Sequence, residues 1–313
     1  MTGKLSSEPL APEIYISFEP VTATLQYIVA DPKTGEAAII DSVLDFDPAT
    51  NRLSTNSADA LLSTVVHNGL KPTFIMETHA HADHLTAARY LQQKLVELGH
   101  PKPKISAGKR ITQVQATFAS RYGISKDELE NIFDQLWDDN QKFKIGLLDC
   151  EVLHLPGHTP DHVGYRIEQY VFTGDSIFNP DVGSARADFS GGSATQLYKS
   201  ARILLDLPDH YRLYTGHDYP PSDREVNENG ERFRAFSTVG EQRRENKHVK
   251  SGVDEETFVK WRRERDATLG EPKLLHQALQ FNIRGGRLPK MSERGDRLLL
   301  VPLKVDSELL KIM

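Results

Sequence analysis

Cysteine is almost absent from this chain. Cys150 stands alone among 313 residues, so an intramolecular disulfide and a thiolate-rich metal cluster are both excluded. Any metal must be held by histidine and carboxylate. Cys150 lies in the apolar-flanked run IGLLDCEVLHL, has no nucleophile motif around it, and reads as a small buried core residue. Long hydrophobic runs are also missing: no stretch approaches the ~20 apolar residues of a membrane-spanning helix. The opening MTGKLSSEPLAPE lacks the apolar core of a secretory signal and is too acidic and Pro-rich for a transit peptide. A cytoplasmic location is therefore expected, with mitochondrial import the alternative. Positive charge is not in excess, since 38 Lys and Arg against 44 Asp and Glu leave a net charge of -6. That balance argues against general affinity for nucleic acid or an anionic membrane face. Repeats and low-complexity tracts are lacking too.

What is present is an ordinary globular composition, with 38% hydrophobic and 26% charged residues, enough to bury a sizeable core. IYISF, TLQYIVAD and AAIIDSV read as strands, the last two flanking the turn DPKTGE. Residues 58–69 read as a helix stopped by Gly69. KPTFIMETH is a strand running into a histidine cluster, after which His84, Ala88, Leu91, Leu95 and Leu98 mark one face of a helix. Residues 109–140 read as helical, with a cap at Ser125 and Glu128. LLDCEVLHL, HVGYRIE, YVFTGD and RLYTGHD are further strands, with a helix over about 194–207. The charged run EETFVKWRRERDATL reads as a helix with a solvated face. Alternating strands and helices argue for an α/β layered fold. The expected organisation is a catalytic core over 1–221, with an extension over 222–313 completing or packing on the same domain.

Chemistry concentrates where strands end. In THAHADH, residues 78 to 84, His79 and His81 are two positions apart, so a short turn can aim both imidazoles at one cation. Asp83 and His84 are expected to begin the next helix and face a second cation. Later strand ends supply His158 in LPGHTPDH, Asp175 in FTGDS and His217 in YTGHD. Imidazole and carboxylate suit zinc or iron, and an oxygen ligand such as Asp175 can bridge two ions. A single histidine is more often a hydrogen-bonded structural residue; five histidines and two aspartates in four ordered motifs are not. His162, four residues after His158, reads as structural, with a supporting place behind the ligands as the alternative. His67, His100, His154, His210, His248 and His276 have no motif context.

The order HxHxDH, GH, GD, GHD resembles the metallo-β-lactamase superfamily from about Ile14 to Tyr219. The resemblance implies an αβ/βα four-layer sandwich with metals in a cleft at the sheet edges. Within it, THAHADHLTAA, NPDVGSARADFSGGSATQLYKS, GHDYPP and the tail PKLLHQALQFNIRGG most resemble the persulfide dioxygenases. That group often carries Cys where Ser184 stands, Thr where Ala187 stands, and Cys near Gly285 or Gly286. The longer segment from Lys102 to Lys144 and the continuation from Ile283 to Met313 resemble a longer branch often labelled only as β-lactamase-like hydrolases.

Two chemistries follow from the resemblance. As a dioxygenase, His79, His158 and Asp175 would hold one Fe(2+), and glutathione persulfide would be oxidised by O₂ to sulfite and glutathione. His81, Asp83, His84 and His217 would then be hydrogen-bonding support. As a hydrolase of thioesters or lactones (glyoxalase II-like), two Zn(2+) would be held, one by His79, His81 and His158, the other by Asp83, His84 and His217, bridged by Asp175. Arg186 is a candidate for the substrate anion or, equally, a salt-bridge partner of Asp188; Tyr219 is a candidate glutathione contact. A non-catalytic or RNA-processing role is the remaining alternative. The expected partner is a glutathione-linked thiol or persulfide, with no nucleic acid or membrane, and a homodimer is the commonest soluble assembly.

Overall fold

The N-terminal strand-and-turn pattern folds as an antiparallel meander of β1 (Glu13–Glu19), β2 (Thr24–Ala30) and β3 (Glu36–Ile40). The computed structural model describes residues 11–312 apart from residue 229, so most of the stretch read above for a leader lies outside the described residues. A small hairpin, β4 (Val43–Asp47) and β5 (Arg52–Ser54), leads into α1 (Asn56–His67) and then β6 (Lys71–Met76). After the histidine cluster come β7 (Leu85–Thr86), α2 (Ala88–Glu97), β8 (Lys104–Gly108), α3 (Ile111–Tyr122) and β9 (Gln135–Trp137). The second half contains β10 (Lys142–Ile145), β11 (Leu148–His154), β12 (Val163–Ile167), β13 (Tyr170–Gly174), α4 (Ala194–Leu205) and β14 (Arg212–Thr215). It closes with β15 (Phe236–Thr238), α5 (Val239–Glu245), α6 (Glu255–Asp266), α7 (Leu275–Asn282) and the short α8 (Ser307–Leu310).

The strands form two six-stranded sheets, β1-β2-β3-β6-β8-β9 and β10-β11-β12-β13-β14-β15, and a small β5-β4-β7 sheet. The large sheets face each other across a core that includes Tyr27, Ile40, Met76, Tyr165, Phe172 and Tyr214. Ile28, Ile39 and Ile75, on the other face of the first sheet, pack on Leu61 and Val65 of α1 and Leu91 and Leu95 of α2. Val171 and Leu213, on the far face of the second, pack on Leu197 and Leu204 of α4 and Phe258 of α6. Both faces of the sheets are thus covered, which is why β2 and β13 are buried at every residue. The result is the expected four-layer αβ/βα sandwich. Among the described residues no helix is long and apolar enough to cross a membrane.

Three local expectations change. Residues 109–140 are not one helical stretch: Gly123, left-handed at φ 62, stops α3. Ser125 does bond Glu128, but only one 3₁₀ turn follows (Lys126–Leu129), and Glu128 is drawn to Arg284. Trp137 then stacks on Phe143 and holds β9 at the sheet edge. The helix after the cluster begins at Ala88, not at Asp83 and His84, because Leu85 and Thr86 pair with β4 instead. The charged face of α6 is not wholly solvated, since Arg262 and Asp266 are buried as an ion pair. Cys150 is buried in β11, and burial pushes its thiol pKa up to about 12.

Gly157 shows how tightly the second sheet meets α4. Its φ is 140°, and a Cβ there would meet the Leu197 backbone nitrogen at 2.2 Å. Helix backbone cannot yield as a side-chain tip can, so Gly157→Ala is expected to destabilise the fold by ~2 kcal/mol or more. Urea unfolding checks this; an unchanged midpoint would contradict the packing described.

Candidate metal centre

The cluster sits where β6, β11, β13 and β14 end at one edge of the sandwich, and the connection from β6 to α2 carries His79, His81, Asp83 and His84. Glu77 and Thr78 follow β6 and are fixed before the first histidine appears. The Thr78 N–H and hydroxyl both donate to Asp41, each at 2.8 Å. Asp41 caps β3 in a left-handed conformation, φ 51, a geometry that aspartate tolerates better than most residues.

The seven residues converge as two sets. His79, His158 and Asp175 form one, and His81, Asp83, His84 and His217 the other. Within each set the candidate donor atoms lie within 4.8 Å of one another, close enough to surround one ion at the ~2.0–2.2 Å typical of such ligands. Asp175 lies between the sets, one oxygen 3.6 Å from His158 Nε2 and the other 3.6 Å from His217 Nε2. His81, expected beside His79 and His158 in the two-metal scheme, offers its free nitrogen to the second set, although its ring is only 4.0 Å from that of His79.

The outer nitrogens explain the orientation. His158 Nδ1 meets the Arg186 carbonyl at 2.8 Å, and His217 Nδ1 meets the Ala23 carbonyl at 3.3 Å. His81 Nε2 meets Asp41 at 3.1 Å and Glu77 at 3.4 Å. His79 Nδ1 meets the Thr78 hydroxyl at 3.0 Å, whose proton is already committed to Asp41. Each of these rings thereby donates outward and turns its other nitrogen inward, although burial of His81 is outweighed by Asp41 and Glu77, which raise its pKa, so that ring gives up its inward proton to a metal. The inward atoms His79 Nε2, His81 Nδ1, His84 Nε2, His217 Nε2 and Asp175 Oδ1 are buried with no hydrogen-bond partner among the described residues. Buried polar atoms are normally satisfied, and a shared cation satisfies lone pairs that face one another. The donor set therefore fits a bound metal. Burial, reinforced by the neighbouring His81 and His162 rings, pushes the His79 pKa well down and keeps it neutral, as a ligand must be. Burial opposes charge on His217 as well, yet Asp175 and Asp83 raise its pKa. Burial likewise opposes ionisation of Asp83, but His217 and His84 hold its pKa far below the usual carboxylate range.

Asp41, Glu77 and Asn282 support the centre without a site signal of their own in the sequence, whereas a supporting place was the alternative reading of His162. Asp41 and Glu77 showed only as parts of the strand runs AAIIDSV and KPTFIMETH. His162 stacks on His79 at 4.7 Å and accepts the Asp175 N–H at 2.9 Å, so it lies directly behind the centre. Asn282, at the end of α7, accepts from the Thr86 N–H and donates to the His81 and His84 carbonyls, each at 2.8 Å. It thus ties both ends of the cluster loop to the tail. His248, without motif context, forms cleft wall beside Trp261. Arg186 pairs with both oxygens of Asp188 at 2.6 Å and donates to the Gly270 carbonyl, the salt bridge foreseen as one of its two roles. Tyr219 stacks on His217 at 5.7 Å and is half exposed in the cleft.

The cleft above the cluster has a volume of about 900 Å³ and reaches His158, Asp175, Arg186 and Tyr219. Phe46, Phe178, Trp261 and Leu269 give it apolar walls, and Lys247, Arg265 and Lys273 line its rim.

Comparison with known proteins places this geometry. The family description "Metallo-beta-lactamase superfamily" matches residues 20–217, more than half of the chain. The chain belongs to the metallo-β-lactamase superfamily. Among superfamily relatives, it is 45% identical to "Beta-lactamase hydrolase-like protein" of Agrobacterium fabrum over 94% of this chain. The match spans only 65% of that relative's length. It is 29% identical to the mitochondrial persulfide dioxygenase ETHE1 of Homo sapiens, over 64% of this chain and 66% of that one. The crystal structure of ETHE1 from Myxococcus xanthus superposes with a TM-score of 0.67 at 27% identity, covering 88% of this chain and 100% of that chain. Superfamily membership and the cluster of inward lone pairs together imply metal use; the metal's identity is a separate matter.

Asn282→Ala would leave one buried N–H and two buried carbonyls of the cluster loop without their partner. At ~1–3 kcal/mol for each unsatisfied group, partly relieved by relaxation, a loss of roughly 2–5 kcal/mol and reduced metal retention on dialysis are expected. Denaturant titration and metal analysis of the dialysed protein measure the two effects. Unaltered values in both would show that the tail does not hold the loop.

Proposed function

We propose that the chain is a persulfide dioxygenase-like enzyme that oxidises glutathione persulfide with O₂ at a mononuclear ferrous site. The observation that supports this most is the separate grouping of His79, His158 and Asp175, of which His158 and Asp175 line the cleft. Two histidines and one carboxylate are the donor set that leaves open positions on non-haem iron. The likeness to ETHE1 in sequence and fold supports the same reading. When bound there, a ferrous ion supplies the redox chemistry by which one O₂ and one water convert a persulfide to sulfite, thiol and two protons.

The remaining tasks fall to side chains. His158 and His217 are kept in one tautomer by backbone carbonyls. Lys247 and Lys273 have no ion-pair partner among the described residues, and with Arg265 they offer charge to the glutathione carboxylates at the rim. Arg186, paired with Asp188 and tied to the Gly270 carbonyl, shapes the cleft wall and keeps its two unspent N–H groups for the substrate. Tyr219 closes the wall over His217. The apolar walls exclude water around the reacting sulfur.

A second reading, a binuclear zinc hydrolase of glutathione thioesters, is favoured by one observation. His81, Asp83, His84 and His217 also bring donors together, and Asp175 has an oxygen 3.6 Å from a nitrogen of each set. The naming of the 45% identical relative as hydrolase-like points the same way.

Metal analysis after anaerobic purification and an oxygen electrode separate the two. About one iron per chain and O₂ uptake with glutathione persulfide are expected, with little cleavage of S-lactoylglutathione. About two zinc ions per chain, with thioester cleavage and no O₂ uptake, would establish the hydrolase instead. Arg186→Ala is expected to lower turnover roughly tenfold, the scale of one charge-assisted contact, with iron content unchanged.

A further inference from the structure

The loop between β13 and α4 lines the cleft, and its residues 183–187 are held mainly by side chains from the C-terminal part of the chain. The Gly183 carbonyl accepts from Asn246 at 3.2 Å, and the Ser184 N–H donates to His248 Nδ1 at 3.1 Å. Arg262 of α6 donates to the Ala185 carbonyl at 3.1 Å and to the Ser184 carbonyl at 3.4 Å. Asp266, one turn further along α6, accepts the Ala187 N–H at 3.0 Å. The two side chains join at 2.5 Å, and they are only 4% and 7% exposed. Between these anchors lies Arg186, whose carbonyl receives the His158 Nδ1–H at 2.8 Å.

A buried ion pair is a poor source of stability in itself, because desolvation offsets most of the attraction. Its value lies in direction. Arg262 has a fixed fork of donors, here spent on two successive carbonyls and a carboxylate, and its guanidinium packs over the Trp261 ring at 4.7 Å. Asp266 uses its second oxygen on the next N–H of the same loop. With the carbonyls of 184 and 185 turned toward α6 and the N–H of 187 tied to it, the 186 carbonyl is left pointing at His158. The residues that do this come from a charged helix whose sequence reads as a solvated face.

We infer that Arg262 and Asp266 are positioning residues for the metal centre: through the backbone of Ser184 to Ala187 they aim the Arg186 carbonyl that sets the tautomer and ring orientation of His158. The inference holds for either metal and either reaction, and its metal-affinity arm rests on the proposed role of His158 as a ligand. It gives α6 a function in the centre without any contact between the helix and the donors. Partners of this kind, once removed, typically cost ligands about 10- to 100-fold in metal affinity.

The test uses the full chain. Long-range ¹H–¹⁵N correlation spectra of the metal-free protein report the tautomer of His158. The wild type is expected to show the Nδ1–H form alone. Arg262→Met, which keeps volume and removes the donors, is expected to give a mixture of tautomers and roughly tenfold weaker zinc in competition with a chromogenic chelator. Asp266→Asn serves if Arg262→Met does not fold; it keeps an oxygen for Ala187 and weakens the pair, so a smaller shift in the same direction is expected. Val65→Ala in α1, on the opposite outer layer, controls for general loss of stability and should leave the tautomer and the affinity as in the wild type. A single Nδ1–H tautomer in the Arg262 and Asp266 variants would overturn the inference, as would an equal disturbance in the Val65 control. A mixed tautomer with unchanged zinc affinity would uphold the positioning role and remove His158 from the ligand set.

Discussion

The structure around the cleft depends on one constraint: several imidazole lone pairs and carboxylate oxygens are buried facing one another. Lone pairs turned inward repel, and each has given up water to be there. Two things make this tolerable. A cation at the point of convergence would convert the repulsion into coordination, and outward hydrogen bonds prevent the rings from flipping away. The outward acceptors are drawn from remote parts of the chain: Asp41 after β3, Ala23 before β2 and Arg186 after β13. Much of the sandwich can therefore be understood as the frame that brings these acceptors to the backs of the rings.

That division explains what could be read in the sequence. The inward donors were legible because each lies in a short motif at the end of an apolar strand, where glycine and proline mark a turn. An α/β layered fold was legible because strand and helix periodicities alternate along most of the chain, whereas the four-layer sandwich was implied only by the resemblance of the histidine motifs to a known superfamily. The outward acceptors were not. Two are backbone carbonyls, which have no residue identity to recognise. Asn282 ends the tail segment PKLLHQALQFN, noticed for its resemblance, but its grip on residues 81 to 86 spans about two hundred positions of chain and leaves no local trace.

The missed details share that cause. Asp83 and His84 carry good helix-starting chemistry, yet pairing of Leu85 and Thr86 with β4 overrides it, as tertiary contacts commonly override propensity. Arg262 and Asp266, spaced i and i+4 in a charged helix, look like a surface pair. Only the packing of α6 on α4 shows that this side of the helix is turned inward. Glu128 had the spacing of a capping box with Ser125, but a buried arginine across the fold competes for it.

The lone cysteine gains a use from its position. Cys150 is 4% exposed and stands in β11, held on one side by β10 and on the other by β12. Burial keeps it in the unreactive thiol form. That small exposure leaves a thiol-modifying reagent little access until the sheet opens, and no second cysteine competes for the reagent. The rate of labelling is thus a clock for the opening of the second sheet, read without any engineered probe. Compared with and without metal, that clock would report how far coordination at one edge of the sandwich is felt in the strands that carry the donors.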